Sequence, residues 1–186
     1  MAQFHAFRDE RPKEERWELI DGVPMMMPPP TLIHQRIALN LIWLLKSRLE
    51  LVKPEWCVSQ ESGLLLDGDD KYNPEPDVVV IDTKIEIAQI YADRFYAVAE
   101  VLSPNDKPEV LAAKLSYYQA HEHNRSVLLV RQDQIGAIRH ARNDAGDWRQ
   151  QELSAATDSI SLPVIGHVGH LGELYANTPL DPSRIR

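Results

Sequence analysis

Hydrophobic and polar positions recur along this chain with two periods, and an element ends where the period changes. The run Phe95 to Leu102 reads as a strand, and its period of two puts Tyr96, Val98, Glu100 and Leu102 on one face. Asp77 opens a second, β-branched run through Val78, Val79, Val80 and Ile81. Ile33, Ile37, Leu41, Leu44 and Leu45 instead keep helical spacing, which predicts a helix over 31–50 with Thr31 as its cap. A further helix is predicted over 107–120, with Asp106 and Glu109 at capping-box spacing and Pro108 in the first turn. Val110, Leu111, Leu115, Tyr117 and Tyr118 form its buried stripe. Lys114 falls near the centre of that stripe, so its ammonium is aimed at the core.

The remaining elements follow from turn chemistry. Asp21-Gly22 between two apolar arms signals a hairpin over 17–26, with Glu18 on the first arm. Pro28-Pro29-Pro30 cannot continue a sheet and reads as a stiff connector. Residues 56–59 and 63–66 read as two short strands or one bent one, and 67–73 as a solvated turn without the full calcium-loop pattern. Residues 83–91 read as a short helix or loop, with Ile85, Ile87 and Ile90 partly buried. Strands are expected at 126–131, 136–140 and 148–153, and Ile160 to Pro163 precede a short closing helix over 171–176. Residues 1–16 form a polar lead-in with room for a short helix, and 177–186 a tail. The whole of 1–186 is read as one domain.

Composition narrows the function. No run approaches a membrane span, the N-terminus lacks a signal-peptide pattern, and one cysteine, Cys57, leaves no internal disulfide or cysteine zinc site. A cytoplasmic protein with no membrane partner follows most simply. A net charge of −8 argues against general coating of nucleic acid. His121 with His123, and His167 with His170, lack the spacing of a zinc pair and a third ligand. No Gly-x-Ser-x-Gly elbow supports a serine hydrolase.

What stands out is an acid set into each of two apolar strands, with an inward lysine on the next helix. Buried acids are expensive unless a cation or a metal compensates them. Glu18, the Pro76-Asp77 pair, Glu100 and Lys114 together resemble the PD-(D/E)XK nuclease superfamily, and more closely its Uma-two-type branch of restriction-endonuclease domains. Glu18 to Gly22 is similar to that branch's opening Glu-Leu-Ile-Asp-Gly hairpin, Glu100 to Pro104 to its Glu-Val-x-Ser-Pro signature, and Lys114 with Tyr118 to its Lys-x-x-x-Tyr. His34 falls where the branch has a histidine at the start of its first long helix, and Leu162-Pro163 with Leu174-Tyr175 resembles its ending. The chain departs from the pattern at Leu102, where the superfamily's usual strand lysine would stand. It departs also at Val110, where the branch tends to carry an aspartate, and around 122–127.

The resemblance implies an α/β, restriction-endonuclease-like core, a central mixed sheet flanked by the two long helices. It implies a metal-dependent endonuclease acting on nucleic acid, DNA for preference, with Glu18, Asp77, Glu100 and Lys114 catalytic. Mg²⁺ (or Mn²⁺) would be held by Asp77, Glu100 and the Val101 carbonyl, with His34 and Tyr118 as further site residues. It also implies a homodimer. Two other readings remain: a buried Lys114–carboxylate network that only fixes the fold, and a nuclease fold that has lost catalysis and serves as a binding or regulatory module.

Overall fold

The computed structural model describes residues 1–66 and 68–184; Asp67, with which the expected 67–73 turn begins, and Ile185 and Arg186 of the tail lie outside the described residues. Elements in chain order are α1 (Ala2–Asp9), β1 (Arg16–Ile20), β2 (Val23–Met27), α2 (Leu32–Val52), β3 (Trp56–Gln60), β4 (Val78–Asp82), β5 (Phe95–Leu102), α3 (Pro108–Ala120), β6 (Ser126–Arg131), β7 (Ala137–Arg142), β8 (Trp148–Leu153), β9 (Ser159–Leu162) and β10 (Gly166–His170), closed by a 3₁₀ turn, Leu171–Tyr175. The fold is α/β: a six-stranded mixed sheet in the order β3-β4-β5-β6-β7-β8, in which only β5 and β6 run parallel. That parallel pair needs a crossover, and α3 supplies it.

The sheet is covered on both faces. On one side α2 packs Ile37, Ala38, Leu41, Leu45 and Leu49 onto Val78, Val80, Ala97, Ala99 and Val101, together with the closing 3₁₀ turn. On the other side Tyr117 and Tyr118 of α3 meet Val79, Phe95, Val98 and Leu129. Strands buried on both faces explain why β4 and β6 are nearly continuous apolar runs.

Local chemistry fixes the entries. Asp21 and Gly22 both take positive φ, 49° and 77°, as a two-residue hairpin turn requires, and β1 pairs β2 from Arg16↔Met27 to Ile20↔Val23. Thr31 caps α2 by accepting from the His34 N–H at 3.2 Å. Pro28-Pro29-Pro30 lies between these elements without regular structure.

Several expectations need correction. The β4–β5 register shifts between Val80 and Ile81, and this bulge turns Tyr96 onto the α2 side, where its ring stacks on Trp56 at 3.9 Å. Val98, Glu100 and Leu102 keep the α3 side. Asp106 does not cap α3; it accepts from the Ser103 N–H at 2.7 Å and tightens the turn after β5, leaving Lys107 as the cap position without a side-chain bond. Residues 83–91 take the loop alternative, but Ile85, Ile87 and Ile90 are exposed at 56%, 110% and 72% and not partly buried. Residues 63–66 make only a bridge from Leu64 to Ala92. An additional hairpin, β9–β10, precedes the closing turn. The lead-in helix α1 docks through Phe4, which is buried, and through Arg8, which donates to the Tyr91 hydroxyl.

Candidate active site

Five elements converge at one end of the sheet. Along the β4–β5 ladder, Val78 faces Ala99, so Asp77 comes level with Glu100 and Pro76 with Val101. Proline has no N–H and cannot extend the ladder. At this level it is the Asp77 side chain that engages β5: its Oδ2 accepts from the Val101 N–H at 2.7 Å. Its other oxygen, Oδ1, accepts from His34 Nε2 at 2.9 Å, and His34 is placed there by the first turn of α2. Burial pushes the His34 imidazole down, but the hydrogen bond and charge of Asp77 outweigh it, and the net shift is upward.

Beside this pair sits a buried ion cluster. Lys114 Nζ lies 2.7 Å from Glu100 Oε1 and 3.1 Å from Glu18 Oε2, and donates to Glu18 Oε1 at 3.3 Å. Glu18, Glu100 and Lys114 are 1%, 8% and 5% exposed, so these charges interact with little solvent screening. Glu18 is not the outward-facing residue that strand alternation alone would allow. The β1–β2 hairpin folds over the sheet end, and Glu18 Oε1 also accepts from the Glu75 N–H at 3.1 Å. Tyr118, one turn beyond Lys114 on α3, donates its hydroxyl to Glu100 Oε1 at 2.5 Å.

The electrostatics separate the partners. Burial raises the Glu100 carboxyl to about 7; Lys114 pulls against this, while Asp77 and Glu18 reinforce it. Burial alone would depress the Lys114 ammonium, but the Glu100 and Glu18 carboxylates override it and hold lysine above its ordinary range. Burial, reinforced by the charge of Glu100, also raises the Tyr118 phenol, so it stays protonated and can donate.

These groups open into a cleft of about 290 Å³ lined by β1–β2, the proline connector, the start of α2, the end of β5 and the first turns of α3. All of the sequence-predicted site residues line it or touch it: Glu18, His34, Asp77, Glu100, Val101 and Lys114 line it directly, and Tyr118 acts from behind through Glu100. Gln132 was not foreseen. It follows β6, adjacent and parallel to β5, and accepts from the Thr31 hydroxyl at 2.7 Å on the cleft wall. Its position at the carboxyl end of the parallel pair, where α/β sheets place ligands, was the available signal. Arg16 and Glu75 also line the cleft, paired at 3.6 Å; burial is the chief cause of the rise in the Glu75 carboxyl.

Could this set hold a metal ion? Among the described residues no group of three His, Cys, Asp or Glu side chains converges as a preformed cage. A zinc-type closed site is therefore not built here. Mg²⁺ asks for less, one or two carboxylates with the remaining positions on water. Asp77 and Glu100 provide two. Glu18 Oε2 is buried and lacks a hydrogen bond, although it faces the Lys114 charge at 3.1 Å. The lining side chains carry five carboxylates (Glu18, Glu75, Asp77, Glu100, Asp106) against three cations (Arg16, Lys107, Lys114), so added positive charge is electrostatically favoured. The donor set fits a hard divalent cation. The imidazoles at 121 and 123 are used otherwise: His121 sits 3.2 Å from the Asp93 carbonyl and stacks on Phe95, and His123 Nε2 lies 2.9 Å from Glu122.

Comparison with known proteins identifies the family and the fold. A family model, Uma2, described as "Putative restriction endonuclease", matches residues 1–169. Among solved structures, a protein from Anabaena variabilis ATCC 29413, described as a "putative nuclease belonging to DUF820", superposes with a TM-score of 0.72. It is 15% identical, over 91% of this chain and 94% of that one, and shares the fold. None of the curated proteins matches at a significant level.

Proposed function

The chain belongs to the Uma2 family of restriction-endonuclease-like proteins, and from that premise we propose that it is a divalent-metal-dependent endonuclease that hydrolyses phosphodiester bonds in nucleic acid, with DNA as substrate. The observation that carries the reading is the position of Lys114, a buried ammonium between Glu18 and Glu100 at the wall of a cleft that Asp77 also lines. The enzyme is further proposed to be cytoplasmic and homodimeric; no helix among the described residues is long and apolar enough to cross a membrane.

Asp77, Glu100 and the Val101 carbonyl would hold Mg²⁺ or Mn²⁺. When bound, such an ion polarises a phosphoryl oxygen and lowers the pKa of an attached water. The protein's own groups do the rest. Asp77 is held in one orientation by His34 and by the Val101 N–H. Lys114, kept protonated by its two acids, is unsuited to take a proton and suited to stabilise the extra negative charge of a pentacovalent phosphate. Glu18 anchors that ammonium from the hairpin side. Tyr118 is a positioning residue that fixes Glu100 through a single short hydrogen bond.

The test is nicking of supercoiled plasmid in Mg²⁺ or Mn²⁺ by wild type, Asp77→Ala and Lys114→Ala, with circular dichroism to confirm folding. Each variant is expected to lose activity by about 10²-fold or more. Cleavage unchanged in either folded variant would overturn the mechanism. A metal-replete wild type that binds nucleic acid without cutting any would favour the binding-module reading instead.

A further inference from the structure

The outer face of α2 carries large apolar side chains among its polar ones. Its inward stripe, Ile37, Leu41, Leu45 and Leu49, is spent on the sheet. The opposite stripe carries Leu32, Leu39 and Trp43, exposed at 84%, 38% and 61%. A solvated helix face rarely places an indole there. Arg36, Lys46 and Glu50 share this stripe, and their placement is symmetric. Arg36 lies seven residues before Trp43 and Glu50 seven after it, two helical turns in each direction.

That symmetry has a consequence under a two-fold axis. In an antiparallel pair of α2 helices with the axis passing at Trp43, position 43 − n of one copy meets position 43 + n of the other. Arg36 then faces Glu50 of the second copy, twice, and the two indoles meet at the centre. A second feature agrees with the same register. A surface groove of about 420 Å³ lies between the first two turns of α2 and residues 177–179, with Leu32, Arg36, Leu39 and Pro179 on its walls. Leu51, 79% exposed, is eight residues after Trp43, and so comes level with position 35 at the middle of that groove. Among the described residues nothing competes strongly for these charges. Glu50 has Lys46 at 4.0 Å, with both side chains more than half exposed, a contact of little net strength.

We infer that the outer face of α2 is the homodimer interface of this protein, an antiparallel helix pair centred on Trp43 and registered by reciprocal Arg36–Glu50 ion pairs. This interface rests on the homodimer proposed above and is independent of catalysis, since it uses the helix face opposite the core and not the cleft.

Charge reversal tests it. Sedimentation equilibrium on the full chain is expected to show a dimer in the micromolar range. Arg36→Glu alone, or Glu50→Arg alone, places like charges across the axis and is expected to raise the dissociation constant about tenfold or more. The double variant Arg36→Glu with Glu50→Arg restores opposite charges in the same register and is expected to recover dimerisation. Trp43→Ala is expected to give monomer with unchanged circular dichroism. A wild type that stays monomeric to about 100 μM, a dimer indifferent to both reversals, or a double variant no better than either single one would each overturn the interface. These surface substitutions leave the core untouched, so misfolding does not cloud the result.

Discussion

Lys114 is the residue on which stability and function pull hardest against each other. Removing it leaves Glu18 and Glu100 buried without their cation, which by the usual cost of breaking a buried pair is about 3 kcal/mol. The cost depends on pH in a definite direction. The folded Glu100 binds its proton more tightly than the ordinary value of 4.5, at about 7. Stability linked to that proton is complete below pH 4.5 and is lost as pH rises through 7. Lys114→Ala removes the charge that was opposing this rise. Its loss of thermal stability relative to wild type is therefore expected to be larger at pH 8 than at pH 5.5, as read by parallel melts in metal-free buffer. An equal loss at both values would mean that Glu100 does not titrate in this range. Tyr118→Phe removes only a donor to the Glu100 carboxylate. That variant should fold, cut about tenfold more slowly, and reach its maximal rate at higher pH than wild type. A lower rate with an unshifted pH profile would reduce Tyr118 to a packing role.

At the scale of elements, the site depends on where two helices and one hairpin begin. Thr31→Ala deletes the α2 cap and the Gln132 contact together. It is expected to cost about 1 kcal/mol by denaturant unfolding and to lower kcat, because His34 and hence Asp77 lose their fixed position. Gly22 sits at φ 77°, where a side chain is strained, and nothing crowds its Cβ position. Gly22→Ala should therefore act through backbone conformation alone, destabilising by about 1 kcal/mol. Both effects follow from signals legible in the sequence, because caps and two-residue turns are local chemistry. The strand around Glu100 and the inward lysine of α3 were legible for the same reason, since periodicity reports which face is buried. Contacts between distant segments were not. Strand alternation left Glu18 free to face solvent, and only the folding of the hairpin over the sheet end reveals its partnership with Lys114. The bulge that turns Tyr96 depends on register with β4, and the exposure of Ile85, Ile87 and Ile90 on what the fold leaves uncovered. The β9–β10 hairpin has short arms containing two glycines, and its turn holds Val164 at φ 61°, a position for which valine is no signal.

For the whole molecule, a net charge of −8 and an acid-rich cleft set the terms on which a polyanion can approach. Wild-type affinity for a DNA duplex is expected to be at least tenfold weaker in EDTA than with Ca²⁺, a cation that permits binding with little turnover. Anisotropy titration of a labelled duplex reads this directly, and equal affinity in both buffers would place the nucleic-acid surface elsewhere. The deeper claim is that Asp77 and Glu100, poised beside a buried lysine, are a divalent-cation site and not merely a structural ion cluster. Isothermal calorimetry with Mn²⁺ and Mg²⁺ decides it, on wild type and on Asp77→Ala combined with Glu100→Ala. Wild type is expected to bind, more tightly from pH 6 to pH 8 as Glu100 gives up its proton, and the double variant not at all. Silence from wild type at millimolar metal, or binding that survives the loss of both acids, would contradict it.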